Sequence, residues 1–110
     1  MEEIIRNKIC VFHLGSCGVC GNLLRLIEGS GIPCDTIDAN RFATLADKVE
    51  DFLEIKRYPI VLITGSSNYP KPTYLYIAST EEEKSSRPLK GAVVIGCTTA
   101  EEMLEYIRKA

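Results

Sequence analysis

Ser16-Cys17-Gly18-Val19-Cys20-Gly21 stands where one apolar run stops and an amphipathic one starts, and this junction constrains the fold more than any other stretch. Before it, Ile9-Cys10-Val11-Phe12-His13-Leu14 reads as a buried strand that Gly15 breaks. After it, a helix is expected from Cys17 to about Glu28. Ser16 would be its N-cap and Cys17 its first residue. Val19, Leu23, Leu24, Leu26 and Ile27 would form its inward stripe. Cysteines three apart on a helix share a face, with Cβ atoms about 5–6 Å apart, close to disulfide reach. First-turn N–H groups lack intrahelical partners and the macrodipole is positive there, so a Cys17 thiolate, the reactive form, is stabilised. A C-x-x-C pair in this setting points to redox chemistry.

Two other uses of such a pair fit less well. A structural zinc site needs four ligands, whereas Cys10, Cys34 and Cys97 are isolated and His13 is the only histidine. A permanent disulfide over so short a loop would restrain little chain entropy. No metal is expected. The formal net charge of −2 gives no electrostatic footprint for nucleic acid or an anionic membrane. No apolar run approaches the ~18–20 residues of a membrane span. The acidic Met1-Glu2-Glu3 start lacks the pattern of a signal peptide. Five cysteines, an odd number set mostly in apolar runs, suit a reducing compartment, so a cytoplasmic location is expected.

One domain over 1–110 is expected, of the α/β class. Ile32 to Asp38 reads as a short second strand, parallel to the first through the helical crossover. Asn40 would cap a second helix, about Arg41 to Ile55, on which Phe42, Leu45, Ala46, Val49, Phe52 and Leu53 recur at helical spacing. Pro59 introduces the buried run Ile60-Val61-Leu62-Ile63, and Thr73 to Ala78 alternates like a half-exposed strand. Glu81 to Lys90 reads as a solvated loop. Ala92 to Ile95 is a further strand, and Thr99 with Glu102 forms a capping box for a last helix facing inward through Met103, Leu104 and Ile107. Short connections predict antiparallel pairing for the later strands.

Cys17-Gly18-Val19-Cys20 at a helix start, Tyr58-Pro59 before an apolar strand, and Ile95-Gly96-Cys97-Thr98-Thr99 before the last helix occur in an element order that resembles the thioredoxin fold, within it the glutaredoxins. The resemblance implies a mixed four- to five-stranded sheet flanked by three helices, in the order β-α-β-α-β-β-(β)-α. It implies thiol–disulfide exchange on protein or glutathione mixed disulfides. Cys17 would be the nucleophile and Cys20 the resolving thiol. Pro59 would be cis and face the pair. Tyr58, Pro59, Gly96, Thr98 and Thr99 would bind substrate, with glutathione as co-substrate, no tightly bound cofactor, and a monomeric protein. Gly96 would permit close backbone approach of the ligand, while the N–H groups and hydroxyls at Thr98 and Thr99 would favour a carboxylate. Threonines stand where the family carries acidic residues, which predicts weak glutathione binding. Lys56 and Arg57 could meet a glutathione carboxylate or simply end a helix in solvent. His13 is readable as a packed residue or as a neighbour of Cys17, and Cys97 as packing or as part of the site. A thioredoxin-like protein electron donor, and a redox-inactive or iron–sulfur-binding module of the same fold, are the alternatives.

Overall fold

The computed structural model describes residues 7–110, so Met1, Glu2 and Glu3 lie outside the described residues. Strand β1 (Ile9–His13) is apolar on both faces, and Ile9 to Phe12 are each at most 3% exposed, as befits an interior strand. Helix α1 (Gly18–Ser30) returns the chain to β2 (Asp35–Asp38), which pairs parallel with β1. Helix α2 (Ala43–Leu53) leads to β3 (Ile60–Ile63), antiparallel to β1 on its other side, and β4 (Thr73–Ile77) is antiparallel to β3. A 3-10 turn (Glu82–Lys84), β5 (Ser86–Leu89), β6 (Ala92–Cys97) and α3 (Ala100–Arg108) complete the described chain. The six-stranded sheet has the order β2-β1-β3-β4-β6-β5.

Side chains alternate across a pleated sheet, so each register row belongs to one face. Val11, Val61, Leu75 and Ile95 are successive partners across β1, β3, β4 and β6, and they support Leu23 and Ile27 of α1 and Met103, Leu104 and Ile107 of α3. The next row, Phe12, Ile60 and Tyr76, faces Val49 and Leu53 of α2 and ends at Gly96. Full burial of each such large apolar side chain contributes about 1.5–3 kcal/mol. Strand directions bring the C-terminal ends of β1, β4 and β6 and the start of β3 to one edge of the sheet. Pro59 directly precedes β3, Thr98 and Thr99 directly follow β6, and Cys17 follows β1 after Leu14, Gly15 and Ser16.

Several expectations change. The sheet has six strands rather than four or five because the charged stretch 81–90, read as a loop, holds the 3-10 turn and β5. Lys90 and Gly91 connect β5 to β6 with φ of 49° and 85°, the two left-handed residues of a tight hairpin turn. That hairpin puts β5 on the outside, which leaves β4 beside β6 in parallel rather than antiparallel pairing. Asn40 does not cap α2: its N–H goes to Asp38 Oδ1 at 2.9 Å in a local turn, and Phe42 occupies the cap. The helix stops at Leu53, with Glu54 in the left-handed region at φ 59°. β2 begins at Asp35 instead of Ile32, beyond Pro33, which has no N–H for a ladder.

Candidate active site

The start of α1 differs from the expected one by a residue. Cys17, not Ser16, is the N-cap: its backbone is extended (φ −89°, ψ 112°), and its Sγ accepts the Cys20 N–H at 3.1 Å. An N-cap side chain takes up one of the four unpartnered N–H groups of the first turn. Here the acceptor is sulfur. The Cys17 N–H is held by the Leu14 carbonyl at 3.2 Å, which fixes the approach of the chain to the helix. Cys17 is half-buried and Cys20 is 1% exposed; their Cα atoms are 5.2 Å apart and their Sγ atoms are within disulfide reach. Val19 does not join the inward stripe. It is 42% exposed beside Cys17, while Cys20, Leu23 and Ile27 face the core.

Across from this turn, the Tyr58–Pro59 peptide is cis, and the Tyr58 carbonyl oxygen lies 3.5 Å from Cys17 Sγ. Pro59 itself is buried at the head of β3. The Tyr58 hydroxyl donates to Glu50 on α2. Burial first, and then that hydrogen bond and the charge of Glu50, raise the phenol above its ordinary range.

Gly96, Thr98 and Thr99 lie on the same sheet edge, and their immediate partners belong to the chain itself. A Cβ built on Gly96 would overlap the backbone carbonyl of Glu83. The space above the glycine is therefore taken by the 3-10 turn and is closed to a ligand. Thr99 Oγ1 accepts the Glu102 N–H at 3.1 Å, the expected cap of α3. The Glu102 carboxylate does not complete a reciprocal box; it accepts from Thr98 Oγ1 at 2.6 Å.

Arg57 is held in two ways. Its Nη1 and Nη2 donate to Glu83 Oε1 and Oε2, both at 2.9 Å, and Nη1 also reaches the Ile77 carbonyl at 3.1 Å. Glu83 further accepts from the Ser79 N–H and hydroxyl at 2.8 and 2.9 Å. The Arg57 guanidinium, and next the Ser79 N–H, pull the Glu83 carboxyl down to about 2. Nothing in the run Glu81-Glu82-Glu83 distinguishes the residue that closes this clamp, so sequence reasoning misses it. The two-residue Lys90-Gly91 turn is the available signal that the segment is folded.

Of the other cysteines, Cys10 and Cys97 are buried and their thiols are pushed up to about 12, chiefly by burial. Cys97 belongs to the core beneath α1 and α3. His13 is half-buried, and its carbonyl accepts the Ala39 N–H at 2.8 Å, tying β1 to the end of β2. Among the described residues, no three or more His, Cys, Asp or Glu side chains group so as to hold a metal ion, and no helix is long and apolar enough to cross a membrane.

Comparison with known proteins finds no matching family model, curated protein or solved structure. The described residues form a mixed α/β fold with a six-stranded sheet, three helices and a cysteine pair at a helix start.

Proposed function

We propose that the protein is a glutaredoxin-like thiol–disulfide oxidoreductase of the thioredoxin-fold superfamily, working through the Cys17–Cys20 dithiol. The observation that carries this reading is the position of Cys17 Sγ: half-exposed, at the N-cap of α1, accepting the Cys20 N–H and touching the Tyr58 carbonyl. Helix N-termini favour negative charge, and thiolate is the nucleophile in disulfide exchange.

In the reducing direction, the Cys17 thiolate attacks one sulfur of a substrate disulfide. A mixed disulfide forms, and the other substrate sulfur leaves as a thiolate that takes up a proton. Cys20, as thiolate, then attacks Cys17 Sγ. The Cys17–Cys20 disulfide forms and the second substrate thiol departs. The substrate gains two electrons and two protons, and an external dithiol or pair of thiols returns them to the protein. Burial of Cys20 keeps it from competing for substrate while leaving it within reach of Cys17. In the protonated state the Cys17 thiol donates to the Tyr58 carbonyl, a bond given up when the thiolate forms. A reducing compartment suits the reading, since Cys10, Cys34 and Cys97 are unpaired thiols.

The test is stoichiometric. Reduced protein is mixed with excess hydroxyethyl disulfide, and thiols are counted by alkylation and mass spectrometry. The expected result is loss of two thiols per chain, mapped to Cys17 and Cys20. Cys20→Ser should instead accumulate an adduct on Cys17, and Cys17→Ser should form no adduct and no Cys17–Cys20 disulfide. Oxidation that survives Cys17→Ser would reject the assignment.

A further inference from the structure

We infer that the substrate of this dithiol is a disulfide within a polypeptide rather than glutathione, because the chain's own Glu83 and Glu102 occupy the groups that would take a small anionic peptide. The inference rests on the proposed dithiol chemistry.

Glutathione carries two carboxylates and one ammonium group, and binding it requires partners for charge as well as access to sulfur. At the edge of the sheet that holds Cys17, Arg57 is engaged on both guanidinium nitrogens by Glu83. At the start of α3 the Thr98 hydroxyl proton is committed to Glu102, while Thr99 accepts the Glu102 N–H and keeps its own O–H. Backbone approach at Gly96 is closed by the Glu83 carbonyl. Lys56 remains exposed just before Tyr58. Arg57 and Glu83 cancel each other's charge, and Glu102 sets a carboxylate beside Thr98, where a ligand carboxylate would have to sit.

The immediate surroundings of Cys17 fit a polypeptide better. From Leu14 to Leu24 the chain has no charged residue. Gly15 and Gly18 flank the cysteine, and a Cβ at either would meet nothing within 4 Å, so a partner's main chain can come close. Val19 is the one large apolar side chain that is exposed among the described residues, and it offers contact to an apolar neighbour of the substrate cystine. This uncharged floor suits a disulfide carried in a polypeptide and flanked by apolar residues.

The experiment compares single-turnover oxidation of the reduced protein by three disulfides: insulin as polypeptide, glutathione disulfide, and hydroxyethyl disulfide as a small neutral reference. Alkylation of Cys17 is the readout. Insulin should react at least about tenfold faster than glutathione disulfide, and glutathione disulfide should be slower than the neutral reference. Glu83→Gln leaves the Arg57 charge uncompensated. It should raise the glutathione-to-reference rate ratio about tenfold, the size of one charge-assisted hydrogen bond. Glu102→Gln should move the ratio in the same direction. Glutathione disulfide reacting as fast as insulin in the wild-type protein would overturn the inference while leaving the dithiol reading intact, and this comparison stands even if a variant does not fold. An unchanged ratio in a folded Glu83→Gln protein would overturn the role of Glu83. Failure of all three disulfides to oxidise Cys17 would reject the underlying reading itself.

Discussion

At the scale of single residues, one helical turn separates cysteines with opposite chemistry. Cys17 is half-exposed and receives an N–H on its sulfur, whereas Cys20 is packed into the core. Iodoacetamide applied to the reduced protein near neutral pH should therefore label Cys17 first. Cys10 and Cys97, pushed up to about 12 by burial, should stay unlabelled until the protein unfolds. Peptide mapping checks this, and early labelling of Cys20 would reverse the roles. Gly96 makes a second residue-scale prediction. Alanine there would press against the Glu83 carbonyl, so Gly96→Ala should lower stability by about 1–3 kcal/mol, the usual cost of overpacking, measurable by urea denaturation. The C-x-x-C pair is legible in the sequence from its own local signature, whereas the proline opposite it follows only from the family resemblance. The partner of Gly96 is not legible, since a glycine records that something comes close but not what does.

Secondary-structure elements show the same divide between local and long-range information. α1, α3 and β3 can be read from apolar periodicity together with caps and breakers, and Thr99 caps α3 as its side-chain chemistry requires. Thr99→Ala should cost about 0.5–2 kcal/mol, read as a shift of the urea midpoint. The cap of α1 escaped by one residue because sulfur, rather than the Ser16 hydroxyl, takes the free N–H. β5 escaped for a different reason. Its exposed sequence Ser86-Arg87-Pro88-Leu89 carries little apolar alternation, and pairing with β6 supplies what the strand itself does not encode. The parallel pairing of β4 with β6 depends on β5, because strand direction is set by how many strands intervene.

On the scale of the whole molecule, the Arg57–Glu83 clamp fastens the 3-10 turn to the segment that presents Tyr58 to Cys17. The folded Glu83 carboxyl lies at about 2, below its ordinary 4.5. A depressed value means that its contribution to stability is complete above the ordinary value and is lost as pH falls from there through about 2. The stability difference between wild type and Glu83→Gln should therefore shrink over that range and be flat above it, as urea titrations at several pH values would show. Both partners are partly exposed, so added salt should narrow the difference.

The two outermost strands have a bearing on the protein's behaviour in concentrated solution. A sheet is open to lateral growth wherever a rim strand offers a regular row of N–H and C=O groups to another molecule. β2 is four residues long with aspartates at both ends, and Asp35 already holds the Asn7 backbone N–H at 2.7 Å. β5, at the opposite rim, carries Pro88, which has no N–H to give. Replacing Pro88 with valine restores a donor and a β-branched side chain on that rim. Pro88→Val should accordingly lower the concentration at which thioflavin-positive fibrils appear on prolonged incubation, so that one ring closure in a surface strand helps keep the molecules apart.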